Sequence, residues 1–196
     1  MTCTIMAIDP GVKGAIAAVM YNQRKIERAE VYDMPIKAYS EPVHGTNRLK
    51  GIGLVDLGKP QKRVDVAQIR SWISSYRPDL VVLEMQLWMQ KDGAKQTSLI
   101  WLNYGRLTAA IEGVGRVVEV LPQTWKPRIG VTSNKDTSLD LARATFPMCA
   151  DQLKYKKHDG RAEALLLTQY GFWHELIPGQ YEGSRHANAT VAGQPA

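Results

Sequence analysis

Residues 4–34 read TIMAIDPGVKGAIAAVMYNQRKIERAEVYDM, and this stretch decides the fold. Thr4 to Ile8 is an apolar run closed by the turn residues Asp9-Pro10-Gly11. Ala15 to Tyr21 is a second run, and Lys25 to Met34 a third, more polar one carrying Glu27, Arg28 and Glu30. The links Gly11-Val12-Lys13-Gly14 and Asn22-Gln23-Arg24 are turn-like and too short for a helical crossover. Three strands so linked form an antiparallel meander, and the charges on the third place it at an edge.

Beyond the meander the pattern changes. Asp65-x-x-Gln68 reads as a helix cap, with Val66, Ile69, Trp72, Ile73 and Tyr76 on one face and Pro78 as the stop. Leu80 to Leu83 is a continuous apolar run, the mark of a strand buried on both faces, and Glu84 ends it. Residues 96–114 predict a long helix with the stripe Leu99, Ile100, Asn103, Leu107, Ala110, Ile111 and Val114. Trp101, Leu102 and Tyr104 add apolar area outside that stripe. Arg116 to Leu121 is another strand, followed by a short helical stretch around Trp125-Lys126. Ser133-x-x-Asp136 opens a helix to Phe146, residues 147–157 read as a basic loop, and a last helix runs from Asp159 to Trp173. The order β-β-β-α-β-α-β-α-α predicts an α/β fold: a five-stranded mixed sheet, three antiparallel strands then parallel crossovers, with helices on both faces.

The chain has 196 residues, 44% hydrophobic and 22% charged, which suits one domain, here 1–177, and excludes a wholly disordered chain. Residues 35–63 lack clear periodicity and read as a long loop or inserted arm; 178–196 reads as a flexible tail. No apolar run approaches the ~20 residues of a membrane span, and the start has no basic region of a signal peptide. Cys3 and Cys149 form no CxxC pattern, so a reduced, cytoplasmic setting is expected.

Net charge is +6, concentrated in two stretches, Arg48 to Arg63 and Lys126 to Arg161, each carrying +4. Concentrated positive charge suits a polyanion, nucleic acid foremost, as well as a solvated face. Against this basic background four acids stand at element ends: Asp9, Glu84, Asp159 and Glu163. Each alone has a structural explanation as a turn, strand-end or first-turn residue. With the first and fourth strands as central neighbours and the last helix across them, all four converge. Two carboxylates ~4 Å apart repel by ~4 kcal/mol at an effective dielectric of 20, so such a cluster needs protons or cations. Oxygen-only ligands select Mg²⁺ or Mn²⁺, and two such ions suit phosphodiester hydrolysis. A basic chain with such a site reads as a nuclease.

Four motifs in order then carry a resemblance. They are Ile8-Asp9-Pro10-Gly11 with Gly14; Leu83-Glu84 followed by Lys95-Gln96-Thr97-Ser98-Leu99 and Tyr104-Gly105-Arg106; Pro122-Gln123-Thr124-Trp125-Lys126 with Lys135; and His158-Asp159-Gly160-Arg161-Ala162-Glu163-Ala164-Leu165. Together they resemble the RuvC-type Holliday junction resolvases over about residues 4–173, and the last motif is most similar to the phage and prophage branch. The resemblance implies an RNase H-like fold, a homodimer and paired metal-dependent nicks across a four-way DNA junction. It implies that Asp9, Glu84, Asp159 and Glu163 hold two Mg²⁺ or Mn²⁺ ions. It sets Lys126 and Lys135 on the DNA backbone near the site, Lys126 sharing in catalysis, and gives Trp88 the role of an aromatic that helps open the junction. Lys91, Lys95, Arg106 and Arg161 complete the expected DNA contacts, and the extra apolar area on the 96–114 helix suits the dimer interface.

The sequence departs from the family in two respects: its last two acids are usually three apart, and here Asp159 and Glu163 are four apart, and the arm from Pro35 to Arg63 is longer than the family's, its role open. His158, one residue earlier, is a further candidate ligand and equally a surface histidine. Three alternatives stay open: a broader branched-DNA or flap endonuclease, a junction-binding protein without catalysis, and a sugar kinase or actin-like ATPase. The last also begins Asp-x-Gly, but needs a second lobe that 196 residues do not supply.

Overall fold

The apolar run at the start of the chain becomes β1 (Thr2–Asp9), the middle strand of a five-stranded sheet. β2 (Ala15–Asn22) pairs antiparallel with β1, and the edge strand β3 (Lys25–Asp33) pairs antiparallel with β2. On its other side β1 runs parallel to β6 (Leu80–Glu84), which runs parallel to β7 (Arg116–Val120). The expected mixed sheet is therefore present, with β1 and β6 as central neighbours. The computed structural model describes residues 2–39, 61–86, 93–132 and 135–177, apart from the side chains of Gln61, Lys95 and Lys135.

Alternation along the strands divides the core in two. Ile5, Ala7, Ala17, Val19, Leu80 and Val82 face one layer, and Met6, Ile8, Ile16, Val81 and Leu83 the other. The first layer is covered by α3 (Pro122–Arg128), α4 (Lys135–Thr145) and α5 (Asp159–Tyr170). The second is covered by α1 (Val66–Tyr76) and α2 (Ala94–Ile111). Asp65 caps α1 as its sequence predicts, its Oδ1 accepting from the amides of Ala67 and Gln68 at 3.2 and 3.3 Å. All five residues of β6 are buried. Among the described residues, no helix is long and apolar enough to cross a membrane.

The structure corrects three expectations. Tyr104 belongs to the core side of α2, 8% exposed, with its hydroxyl on Glu119; Trp101 and Leu102 remain exposed at 47% and 40%. Residues 147–157 contain 3₁₀ turns, Pro147–Leu153 and Lys156–His158, and Cys149 and Leu153 anchor the first in the core. The ends of the 35–63 segment pair as a ladder, β4 (Ile36–Tyr39) against β5 (Gln61–Val64). These strands are too short to show a period, and side chains of α2 complete them. Residues 40–60 of the expected arm, the 178–196 tail and the Ser133 cap lie outside the described residues.

The first turn of α5 packs against the loop after β1. A Cβ at Gly160 would lie 2.8 Å from the Lys13 carbonyl oxygen and 2.9 Å from Asp9 Oδ2. Gly160 is therefore what permits the helix to approach Asp9. Gly160→Ala is expected to destabilise the protein by ~1–3 kcal/mol, as overpacking does. Thermal melts should show a fall of several degrees, and an unchanged melting temperature would contradict the packing described.

Candidate active site

Asp9 and Glu84 are the last residues of β1 and β6. Because these strands are parallel, with Ile8 opposite Leu83, both acids emerge at the same end of the sheet. α5 crosses that end with its N-terminus leading and brings Glu163 to them, one turn in from Asp159. Carboxylate oxygens of Asp9, Glu84 and Glu163 all lie within 4.8 Å of one another. Asp159 stands outside this trio, although its charge still acts on Asp9.

The trio is held by specific partners. Trp125, fully buried on α3, donates its indole N–H to Glu84 Oε2 at 2.7 Å. Lys126 donates to Glu163 Oε1 at 2.8 Å, and its ammonium lies 5.4 Å from the Trp125 ring centre. Burial pushes the Asp9 carboxyl well above the ordinary aspartate range; the charges of Glu84, Glu163 and Asp159 add to this and that of Lys126 opposes it. Burial raises Glu84 to about 7, with Glu163 contributing, against the pull of Lys126 and of the indole hydrogen bond. Carboxyls displaced in this way cluster at functional sites.

Two oxygens on opposite sides of one Mg²⁺ lie ~4 Å apart, given bonds of ~2.1 Å. A trio within 4.8 Å therefore fits a hard divalent cation after small side-chain rotations. The ligand set is all oxygen, which disfavours zinc and favours Mg²⁺ or Mn²⁺.

The other expected site residues are placed differently. Arg161 points to the edge strand: Nε and an Nη donate to the two Asp33 oxygens at 2.6 and 2.7 Å, and the other Nη to the Gln152 carbonyl at 3.1 Å. It fastens α5 to β3. Arg106 donates through Nε to the Val64 carbonyl at 3.0 Å and through an Nη to the Tyr39 hydroxyl at 3.2 Å. His158 sits edge-on to Tyr155, and its electrostatic neighbours are Arg161, Lys157 and Asp33. Trp88 and Lys91 lie outside the described residues, as do the side chains of Lys95 and Lys135. The sequence reading missed Trp125 as the partner of Glu84. Its signal was present, a lone large aromatic in the otherwise polar Pro122–Arg128 segment, but nothing local says which carboxylate it meets.

No protein-family model matches the chain. Over 80 residues, 39% of the chain, it is 40% identical to the chloroplastic Holliday junction resolvase MOC1 of Chlamydomonas reinhardtii. That match spans 9% of the relative, so the chain covers less than a tenth of that protein's length. Among solved structures it is similar to T. thermophilus RuvC in complex with a Holliday junction substrate, with a TM-score of 0.54 at 16% identity, over 91% of this chain and 98% of that one. A second Thermus thermophilus RuvC structure gives 0.50 at 18% identity, over 88% and 93%.

Two outcomes test the site. A carboxyl whose native pKa is raised binds protons in the folded state that the unfolded chain has released, so its contribution falls as pH rises. The cation-free protein should therefore lose up to about 3 kcal/mol between pH 4.5 and 7.5 through Glu84 alone. Denaturant titrations across that range should show the loss, and Glu84→Gln should remove Glu84's share and leave that of Asp9. Trp125→Phe keeps the ring and removes the donor. It should weaken Mn²⁺ binding ~10–100-fold by calorimetry, the usual cost of losing a ligand's supporting hydrogen bond.

At these levels of identity the likeness to RuvC is one of fold, and the chain has that α/β RNase H-like architecture: the mixed sheet β3-β2-β1-β6-β7, with two acids at the ends of β1 and β6 and a third one turn into α5.

Proposed function

We propose that this protein is a structure-specific endonuclease that resolves four-way DNA junctions by paired, metal-dependent phosphodiester hydrolysis. The observation that carries this reading is the carboxylate trio Asp9, Glu84 and Glu163 at one end of a RuvC-like sheet, within 4.8 Å of one another. The two named relatives, a Holliday junction resolvase and a RuvC bound to a Holliday junction substrate, support the choice of substrate. The +6 net charge suits a polyanion.

In this reading Asp9, Glu84 and Glu163 hold divalent cations, Mg²⁺ or Mn²⁺, and Asp159 contributes to a second position. The cations supply charge neutralisation and activate a water nucleophile. The chain's own residues do the rest. Trp125 holds the Glu84 carboxylate in one orientation. Lys126, already paired with Glu163, offsets negative charge beside the scissile phosphate. Lys135, Lys95, Lys91 and Trp88 contact the junction. Exposed Trp101 and Leu102 on α2 suit a homodimer whose two-fold axis matches that of a junction. The Gly160-Arg161-Ala162-Glu163-Ala164-Leu165 wording supports a place in the phage branch, acting in a bacterial cytoplasm.

The test is cleavage of a labelled four-way junction beside a flap, a Y-fork and linear duplex, with Mg²⁺, Mn²⁺ or EDTA. Symmetric paired nicks confined to the junction and abolished by EDTA are expected. Asp9→Asn should lose at least ~10³-fold in cleavage rate while keeping junction binding, because it removes a buried negative charge that repels phosphate. Equal cutting of flaps and forks would make the protein a general debranching nuclease. An Asp9→Asn protein that still cuts would sink the assignment.

A further inference from the structure

The β4–β5 ladder is built against the usual rules for a structural hairpin. Its register sets Lys37 directly opposite Arg63. Like charges opposite one another on one face of an antiparallel pair are destabilising. By strand alternation Tyr39 lies on that same face, and Ile36 and Val64 on the other. Val64 is fully buried and Ile36 packs on the core, which turns the base of that face inward; on the other face Lys37 is exposed and Tyr39 and Arg63 are half-buried. The guanidinium of Arg63 lies 4.9 Å from the Tyr39 ring centre, and that of Arg106, reaching over from α2, 5.4 Å from it. Two guanidinium groups thus meet one aromatic ring, and the Lys37 ammonium on the same face meets Asp65 Oδ2 at 2.8 Å.

The ladder is also anchored. The free edge of β5 is satisfied by α2: the Val64 amide donates to Asn103 Oδ1 at 2.9 Å, and the Val64 carbonyl accepts from Arg106 Nε at 3.0 Å. The helix replaces a third strand, which fixes the hairpin base. Its position is informative. β3 ends at Asp33, which pairs with Ala15, which pairs in turn with Asp9. The Met34 amide then donates to the Gly14 carbonyl at 2.9 Å, and β4 begins two residues later. The hairpin therefore leaves the sheet at the end where the acids emerge. Its root is two strand spacings, ~10 Å, from Asp9. That is about the ~12 Å width of one major groove.

We infer that the outward face of the β4–β5 hairpin, Lys37, Tyr39 and Arg63 with Arg106 behind it, is a second contact surface for the sugar–phosphate backbone of duplex DNA, which grips an arm beside the cleavage site and supplies affinity without chemistry. The inference rests on the DNA reading above. It adds a partner surface on a segment to which the resemblance to the resolvases assigns no role.

The test measures binding of a labelled linear duplex by fluorescence anisotropy across a salt series, without divalent cations. Lys37→Gln and Arg63→Gln should each lower the slope of log K against log salt by about one, and the pair by about two. Lys25→Gln, the same charge loss at the opposite end of the sheet, should leave the slope unchanged. Arg63→Lys should restore most of the slope, and thermal melts check that each variant is folded. Equal slopes for Lys37→Gln, Arg63→Gln and Lys25→Gln would overturn the inference, as would a wild-type protein that does not bind duplex. Junction cleavage is a separate readout. A protein that cuts no junction but shows these slope changes keeps the hairpin surface and loses only the resolvase reading.

Discussion

Carboxylates crowded at the ends of two parallel strands are the constraint on which the rest of this molecule depends. Asp9 and Glu84 sit side by side because β1 and β6 are neighbours in register, and α5 adds Glu163. Unscreened, such a group destabilises the fold it sits in. The surroundings supply compensation from three directions. Lys126 contributes a full charge, Trp125 a buried N–H, and the leading end of α5 the positive pole of a helix. Asp9 and Glu84 still keep raised pKa values, so the compensation is partial. A site left short of positive charge is one that a divalent cation completes.

That shortage dictates local structure at some distance. α5 approaches Asp9 only because residue 160 has no side chain. The helix is then held at the far edge of the sheet by the two-pronged Arg161–Asp33 pair, formed by residues 128 positions apart. On the apolar side α5 is buried almost throughout, with Ala162, Ala164, Leu165, Leu166 and Leu167 inaccessible to solvent. Hydrophobic burial fixes the helix axis, and Gly160 with Arg161 fixes how far its acidic turn advances. Small errors in either would separate Glu163 from its partners.

Much of this was legible in the chain and some of it was not, for reasons of range. Runs such as Ala15 to Tyr21 and Leu80 to Leu83 carry their burial in composition, so the sheet order followed from run lengths and link lengths. The convergence of Asp9, Glu84 and Glu163 followed from topology, since the first two close parallel strands and the third lies in the opening turns of α5. Asp159 illustrates the limit, because spacing alone does not tell which of two acids one turn apart reaches the cluster. Tyr104 was misplaced although its spacing from Ile100, Leu107 and Ile111 puts it on their face, where its hydroxyl donates to Glu119. Trp125 with Glu84, Arg161 with Asp33, and Asn103 and Arg106 with Val64 all join residues 39 or more positions apart through polar atoms. Periodicity reports apolar faces and is silent on such pairs.

The cations nearest the acids separate into two groups by what they already hold. Lys126 is held by Glu163 in a partly buried pair beside the acid trio, and Arg161 by the more exposed Asp33. Lys37 does meet Asp65 at 2.8 Å, but over half of its side chain is exposed, and such surface pairs contribute little and yield readily to salt or to a competing anion. A chain using its hairpin only to bury Ile36 and Val64 would do so at lower cost with opposite charges at 37 and 63. Retaining like charges there, against a ring that orders them and a helix that fixes their base, makes physical sense when a polyanion lies across them. In the proposed reading, binding charge and catalytic charge would then lie on different elements, joined at Asp33–Met34, so that a firm grip on DNA would leave the acid cluster its deficit of positive charge.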